Sequence, residues 1–227
     1  MVKIKICGLL RPQDAIYLNE AKPDYAGLVF DQGRHFLTDE KAAAIREVLD
    51  DGIPAVGIFV NEPQDHIVSL VNHGVIQIIQ LHGQESEAYI TSLREKTGCP
   101  VIRVVSVRST EDIIQAEHFS AEFLLLDNGR GGTGKSFNWK YIPALKKPWF
   151  LAGGIGLDNL KEALALHPYG VDISSSAETN GYKDREKIRK LVDSIIGKTH
   201  YKPSCRIIVR LNFNDFLRRN KQMAFLG

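Results

Sequence analysis

The amino-acid sequence predicts an α/β fold, a single-domain (β/α)8 TIM barrel over residues 1–197. Three observations predict it. Short runs rich in Val, Ile, Leu and Phe recur eight times, and many are apolar on successive residues, as strands buried on both faces of a parallel sheet are. Helical stretches separate the runs, and parallel neighbours require such crossovers. Eight units in 197 residues match a barrel of near-minimal size, whereas an open doubly wound sheet usually uses fewer strands.

Taken in order, the first strand spans 2–7 and its helix 11–20. The second strand, 25–30, leads to a helix at 38–49, where Thr38 before Asp39-Glu40 is a start signal. The third strand, 54–60, leads to 62–73, with Asn61 before Glu62-Pro63. The fourth and fifth units pair strands 76–81 and 100–105 with helices 85–97 and 109–117; Ser109 precedes Glu111-Asp112. Gly52, Gly74 and Gly98 stand where helices should stop. The last three units pair strands 122–126, 148–152 and 170–174 with helices 138–144, 157–166 and 184–196. Residues 198–227 break the period and form a basic C-terminal extension, expected to be disordered or loosely docked. Residues 206–211 within it have strand character, but a closed barrel offers them no vacant edge.

Composition excludes several classes. Hydrophobic residues are 44% and charged residues 25%, ordinary globular values. No apolar run approaches the ~20 residues that cross a bilayer, and the start is too short and too alternating for a signal peptide. A cytoplasmic protein with no membrane partner is expected. Cys7, Cys99 and Cys205 are odd in number and lack metal or redox spacing, which fits a reducing compartment. His66 and His73 could share a helix face, but without a carboxylate or third ligand they read as solvated histidines, so no metal is expected. From Lys198 onward there are seven Lys/Arg and one Asp/Glu, leaving 22 against 26 in the rest. The body is therefore mildly acidic, against a nucleic-acid partner.

Barrel enzymes carry their chemistry at the C-terminal ends of the strands. Those ends hold Cys7, then Arg34 beyond strand two, His82 after strand four, Arg103 on strand five and Asp127 on strand six. Strand seven ends in Gly153-Gly154, with a helix expected to begin at Asp158; strand eight ends Asp172-Ile173-Ser174-Ser175-Ser176. Glycines that let backbone approach closely, together with serine hydroxyls and N–H groups after strands seven and eight, suit a phosphate. Cys7 and Asp127 then face one another across the mouth as a base and an acid. The thiolate needs support, from a cation such as Arg34 or from backbone donors. A rival motif is Gly129-Arg-Gly-Gly-Thr-Gly-Lys-Ser136, a full match to the P-loop of nucleotide-binding proteins. It lies after five βα units, Pro143 cuts short any following helix, and Asp127 at its entrance would repel polyphosphate.

In this order the residues resemble the phosphoribosylanthranilate isomerase family. Lys5-Ile6-Cys7-Gly8-Leu9, Gly27-Leu28-Val29-Phe30 with Arg34, and Gln80-Leu81-His82-Gly83-Gln84-Glu85 are similar to its motifs. So are Leu125-Leu126-Asp127, Gly131-Gly132-Thr133-Gly134-Lys135-Ser136-Phe137-Asn138-Trp139, Leu151-Ala152-Gly153-Gly154-Ile155, Val171-Asp172-Ile173-Ser174-Ser175, and Glu178 with Gly181-Tyr182-Lys183-Asp184. The likeness runs from residue 3 to about 197.

The resemblance implies an Amadori rearrangement in tryptophan biosynthesis, in which N-(5-phosphoribosyl)anthranilate becomes 1-(2-carboxyphenylamino)-1-deoxyribulose 5-phosphate. It implies Asp127 as the acid, Cys7 as the base and Arg34 on the substrate carboxylate. Gly153, Gly154, Ser174 and Ser175 would hold the phosphate, with His82 and Asp172 also binding. No metal or redox cofactor is needed; the partner is a small phosphosugar, and a monomer or a homodimer is compatible. The alternatives are a P-loop nucleotide binder and another phosphosugar-binding barrel. The chain departs from the family in its short Asp31-Gln32-Gly33-Arg34 loop and in Ser176-Ala177, where Gly-Val is usual. If position 176 requires positive φ, serine there costs about 1 kcal/mol.

Overall fold

The computed structural model describes residues 1–129 and 136–197. The extension from 198 on, including Cys205 and the strand-like 206–211, lies outside the described residues, as do positions 130–135 of the glycine-rich loop.

Eight parallel strands close into a barrel in sequence order. They are β1 (Lys3–Cys7), β2 (Tyr25–Val29), β3 (Ala55–Phe59), β4 (Ile78–Leu81), β5 (Val101–Ser106), β6 (Phe123–Asp127), β7 (Trp149–Leu151) and β8 (Gly170–Ile173). Closure is made by β1, which pairs with β2 at Cys7 against Gly27 and with β8 at Lys5 against Asp172. The outer ring contains α1 (Pro12–Ala21), α2 (Asp39–Val48), α3 (Gln64–Asn72), α4 (Glu87–Thr97), α5 (Thr110–Ala116), α6 (Leu160–Ala165) and α7 (Arg185–Ile196). After β8 comes a small hairpin, β9 (Glu178–Thr179) and β10 (Tyr182–Lys183). Among the described residues no helix is long and apolar enough to cross a membrane.

Most helix signals act as expected. Thr38 Oγ1 accepts the Lys41 N–H, the Asp112 carboxylate accepts the Ser109 N–H, and Gly98 ends α4 in the left-handed conformation. Three differ. The helix expected at 138–144 is a single 3₁₀ turn, Trp139–Tyr141, because Pro143 lacks an N–H and holds its predecessor extended. Asn61 does not cap α3; its side-chain oxygen accepts the Gln84 N–H and ties two barrel loops together. The helix after β7 begins at Leu160 and not at Asp158.

Alternation along each strand sorts the side chains. Ile4 and Ile6, Leu124 and Leu126, and Val171 and Ile173 pack outward in the main core against the helices. Val56, Ile58, Ile78, Ile102, Val104 and Leu125 fill the barrel interior. Tyr25, Phe123, Phe150 and Tyr169 plug its N-terminal end, with ring centroids 5.1–5.9 Å apart and the two tyrosine hydroxyls 2.9 Å apart. The same alternation turns Lys5, Cys7, Gln80, Asp127 and Asp172 inward toward the opposite mouth.

Candidate active site

A cavity of about 520 Å³ opens at the C-terminal ends of the strands, within the usual range for small-molecule sites. Cys7, Gln80, His82, Asp127 and Asp172 line it, with Arg34 at its rim. The strand-end rule therefore gathers residues far apart in sequence.

Cys7 ends β1. Glycine at position 27 makes room for it, since a Cβ there would lie 2.7 Å from the Cys7 Sγ. Gly8 has φ +84°, and a Cβ on it would strike the His35 ring at 2.8 Å. Burial pushes the Cys7 thiol above its ordinary range, and the neighbouring Lys5 ammonium pulls it back. Lys5, two residues earlier on the same lumen-facing row, is wholly buried and donates to Asp172 Oδ1 at 2.8 Å. The cation that acts most on the thiol is therefore Lys5, with Lys183 acting in the same sense. Arg34, expected there, instead pairs with Glu178.

Asp127 ends β6, three strands from β1 around the closed barrel. Its Oδ1 accepts the Asn128 N–H at 2.7 Å, and His82 Nε2 lies 3.9 Å from its Oδ2. Burial raises the Asp127 pKa above the usual carboxylate value, while the same burial lowers that of His82. Between them these groups can hold a proton on a carboxyl beside a neutral imidazole. Gln80 is buried, lines the cavity, and its Oε1 has no hydrogen-bond partner among the described residues.

Gly153 and Gly154 have φ of +84° and +69°, conformations that favour glycine, and both line the cavity with Ser174 and Ser175. Asn159 braces this loop, donating to the Gly154 carbonyl and accepting from the Gly156 N–H, each at 3.0 Å. Ser176 lies in a 3₁₀ turn, Ser175–Ala177, and is not among the positive-φ residues. The strain considered for serine at 176 is therefore absent; its hydroxyl donates to the Ile155 carbonyl and joins the two loops.

The short loop after β2 folds back compactly, with Phe36 donating to the Gly33 carbonyl and bridging to Val29. It delivers Arg34 and His35 to Glu178, which also receives Lys183 at 2.5 Å. Arg103 is not at the mouth. It lies on the outward row of β5, donating to Glu85 at 2.6 Å and stacking on Phe119. His66 is not merely solvated, since Glu62 and Asp39 flank it at 2.8 and 2.9 Å. Among the described residues no cluster suited to a metal occurs.

Sequence reasoning missed roles for Lys5, Gln80, His35, Glu178 and Lys183. The signal for the first two was present, since Lys5 and Gln80 precede Cys7 and His82 by two residues and so share their lumen-facing rows. The P-loop reading loses its required helix. Ser136–Asn138 is irregular and only the 3₁₀ turn follows, whereas a phosphate-cradling loop opens directly onto a helix N-terminus. Lys135 lies outside the described residues.

Comparison with known proteins gives a consistent result. The sequence profile of the family described as N-(5'phosphoribosyl)anthranilate (PRA) isomerase matches residues 4–194. A relative named N-(5'-phosphoribosyl)anthranilate isomerase, from Endomicrobium trichonymphae, is 45% identical over 197 residues, covering 85% of this chain and 97% of its own. The crystal structure of phosphoribosyl anthranilate isomerase from Thermus thermophilus superposes with a TM-score of 0.78 at 31% identity, covering 87% of this chain and all of its own. A further phosphoribosyl anthranilate isomerase, solved in complex with reduced 1-(o-carboxyphenylamino)-1-deoxyribulose 5-phosphate, matches with a TM-score of 0.73 at 27% identity, covering 87% of this chain and all of its own.

Proposed function

The chain belongs to the N-(5'-phosphoribosyl)anthranilate isomerase family, and on that premise we propose that it converts N-(5-phosphoribosyl)anthranilate to 1-(2-carboxyphenylamino)-1-deoxyribulose 5-phosphate in tryptophan biosynthesis. The single observation that carries the residue assignment is the convergence of a half-buried thiol and a buried carboxyl on one cavity from β1 and β6.

Asp127, whose proton is favoured by burial, gives that proton to the furanose ring oxygen, and the ring opens to a Schiff base. Cys7 acts on C2′ from its ionised form, which burial opposes and the Lys5 ammonium supports, and removes the proton there. The resulting enolamine tautomerises to the ketone. This is an aldose–ketose isomerisation in which bonds are exchanged by proton transfer alone, so no cofactor enters the proposal. Arg34, at the rim, takes the anthranilate carboxylate in a charge-assisted contact. Backbone and hydroxyl groups of Gly153, Gly154, Ser174 and Ser175 take the phosphate. His82 lies against the Asp127 carboxyl, and the Lys5–Asp172 pair supports the floor beneath the sugar. The proposal is of a cytoplasmic enzyme, as monomer or homodimer.

The test is to generate phosphoribosylanthranilate in situ and follow its fluorescence after adding the protein. Wild type should extinguish the signal, and Cys7→Ala and Asp127→Asn should each do so slower by about 10²–10⁴-fold. No decay with folded wild type would sink the assignment.

A further inference from the structure

Glu178 is buried yet lies outside the acid–base pair, and it gathers three donors. His35 Nε2 meets its Oε1 at 2.8 Å, the fully buried Lys183 ammonium meets the same oxygen at 2.5 Å, and Arg34 takes the other oxygen through one terminal nitrogen. The Lys187 ammonium holds the Glu178 backbone carbonyl at 2.6 Å, and Lys183 reaches on to the Ser174 carbonyl at 3.4 Å. The guanidinium of Arg34 is otherwise open to solvent: its side chain is 54% exposed. Gly181 lies alongside it, where an added Cβ would stand 3.6 Å from the same terminal nitrogen.

A long cation at the rim of a cavity loses rotamer freedom when it binds an anion, and that loss weakens binding unless it has been met in advance. Glu178 engages only one terminal nitrogen of Arg34. A guanidinium has five N–H donors, so a second edge remains for an incoming carboxylate. The carboxylate of Glu178 is in turn held by donors from the β2 loop and from the hairpin.

We infer that Glu178 is a positioning residue for substrate recognition: it sets Arg34 in place, at the cavity rim and beside the Ser174 turn, before the aromatic carboxylate arrives. This rests on the isomerase reading above. Glu178 acts through Arg34 and touches no reacting atom, so its loss should weaken substrate capture and spare the chemical step.

Steady-state kinetics on wild type, Glu178→Gln, Arg34→Ala and the double variant test it. Glu178→Gln should raise KM about tenfold with kcat nearly unchanged, matching the loss of one pre-set charged contact. Combined with Arg34→Ala it should add almost nothing, because its target is already gone. Multiplying effects in the double variant, or a fall in kcat at unchanged KM, would overturn the inference. If Glu178→Gln fails to fold because Lys183 is left charged and buried, Glu178→Gln/Lys183→Met removes both charges, and the same cycle with Arg34→Ala is read there. An inactive wild type refutes the isomerase reading itself, whereas an active wild type with an unmoved KM in the variant refutes only the role of Glu178.

Discussion

Asp127 and Glu178 are two buried carboxylates at the same end of the barrel, and they are held in opposite states. Burial by itself would raise both. Glu178 overcomes it through hydrogen bonds and charge from His35 and Lys183, and its pKa falls to about 2. Asp127 has a backbone N–H from Asn128 and a histidine at 3.9 Å, and its pKa stays above the usual value. The comparison teaches that partner count, and not depth, separates an acid that holds geometry from one that can carry a proton. Tight pairing would serve Asp127 badly, since an acid fixed in its charged form has no proton to give.

The largest effects are expected from removing the proposed acid and base. Asp127→Asn and Cys7→Ala should each lower kcat/KM by about 10³-fold, within the range for a lost general acid or base. Thermal melting should move little, because neither side chain anchors a network of the kind that surrounds Glu178. The alkaline limb of the wild-type pH profile follows from the same shift. The acid must be protonated, so a raised Asp127 pKa extends activity upward in pH, and kcat/KM falls once that pKa is passed. A melting temperature that collapses in Asp127→Asn would place this carboxylate with the structural acids and break the contrast.

Next in size is Lys5, which does for Cys7 what Lys183 does for Glu178, but against a stronger opposing burial. Replacing it with methionine should raise the thiol pKa by about one unit or more, as loss of an adjacent opposite charge does. The pH dependence of Cys7 alkylation by iodoacetamide reads this directly, with Cys7→Ala as the blank for the other thiols. An unmoved alkylation profile would mean that Lys5 serves only Asp172.

Glu178 provides the third test. Its folded pKa of about 2 lies below its ordinary 4.5, so its stabilisation is present above 4.5 and is lost as pH falls through about 2. Urea unfolding across that window should show the gap between wild type and Glu178→Gln narrowing by about 2 kcal/mol toward the acid end. A constant gap would show that the cations around Glu178 are no better placed than those of an unfolded chain.

The two carboxylates also differ in how far the sequence revealed them. Asp127 closes an apolar run, and strand ends carry barrel chemistry, so its place was legible. Cys7, His82, Asp172 and the paired glycines were legible by the same rule. Lys5 was harder. A lysine alternating with isoleucines reads as the solvent face of a half-buried strand, and only closure of the barrel turns that face inward. Gln80 was hidden in the same way. Glu178 sits in a hairpin of two-residue strands, too short to show any period, and its partners come from 35 and 183, which sequence spacing cannot bring together. The crossover between β6 and β7 was misread because a polar-apolar pattern at 138–144 suggests a helix that Pro143 does not allow.

The smallest effect extends the comparison to the surface. His66 bridges Glu62 and Asp39 as Glu178 bridges its cations, but its side chain is 30% exposed. Burial opposes its charged form, yet the hydrogen bonds to Asp39 and Glu62 prevail and its pKa stands above 6.5. The stabilisation is therefore full below 6.5 and lost as pH rises through the folded value. Solvent screening limits it, so His66→Gln should cost less than about 1 kcal/mol at pH near 5.5 and still less at alkaline pH. Denaturant midpoints at the two pH values give the answer. A cost that is the same at both would assign His66 to packing against Phe30 and Phe59, whose rings it meets edge-on at 6.0 and 6.3 Å. A cost that fades with rising pH would show that the rule separating Asp127 from Glu178 also holds where water weakens every partner.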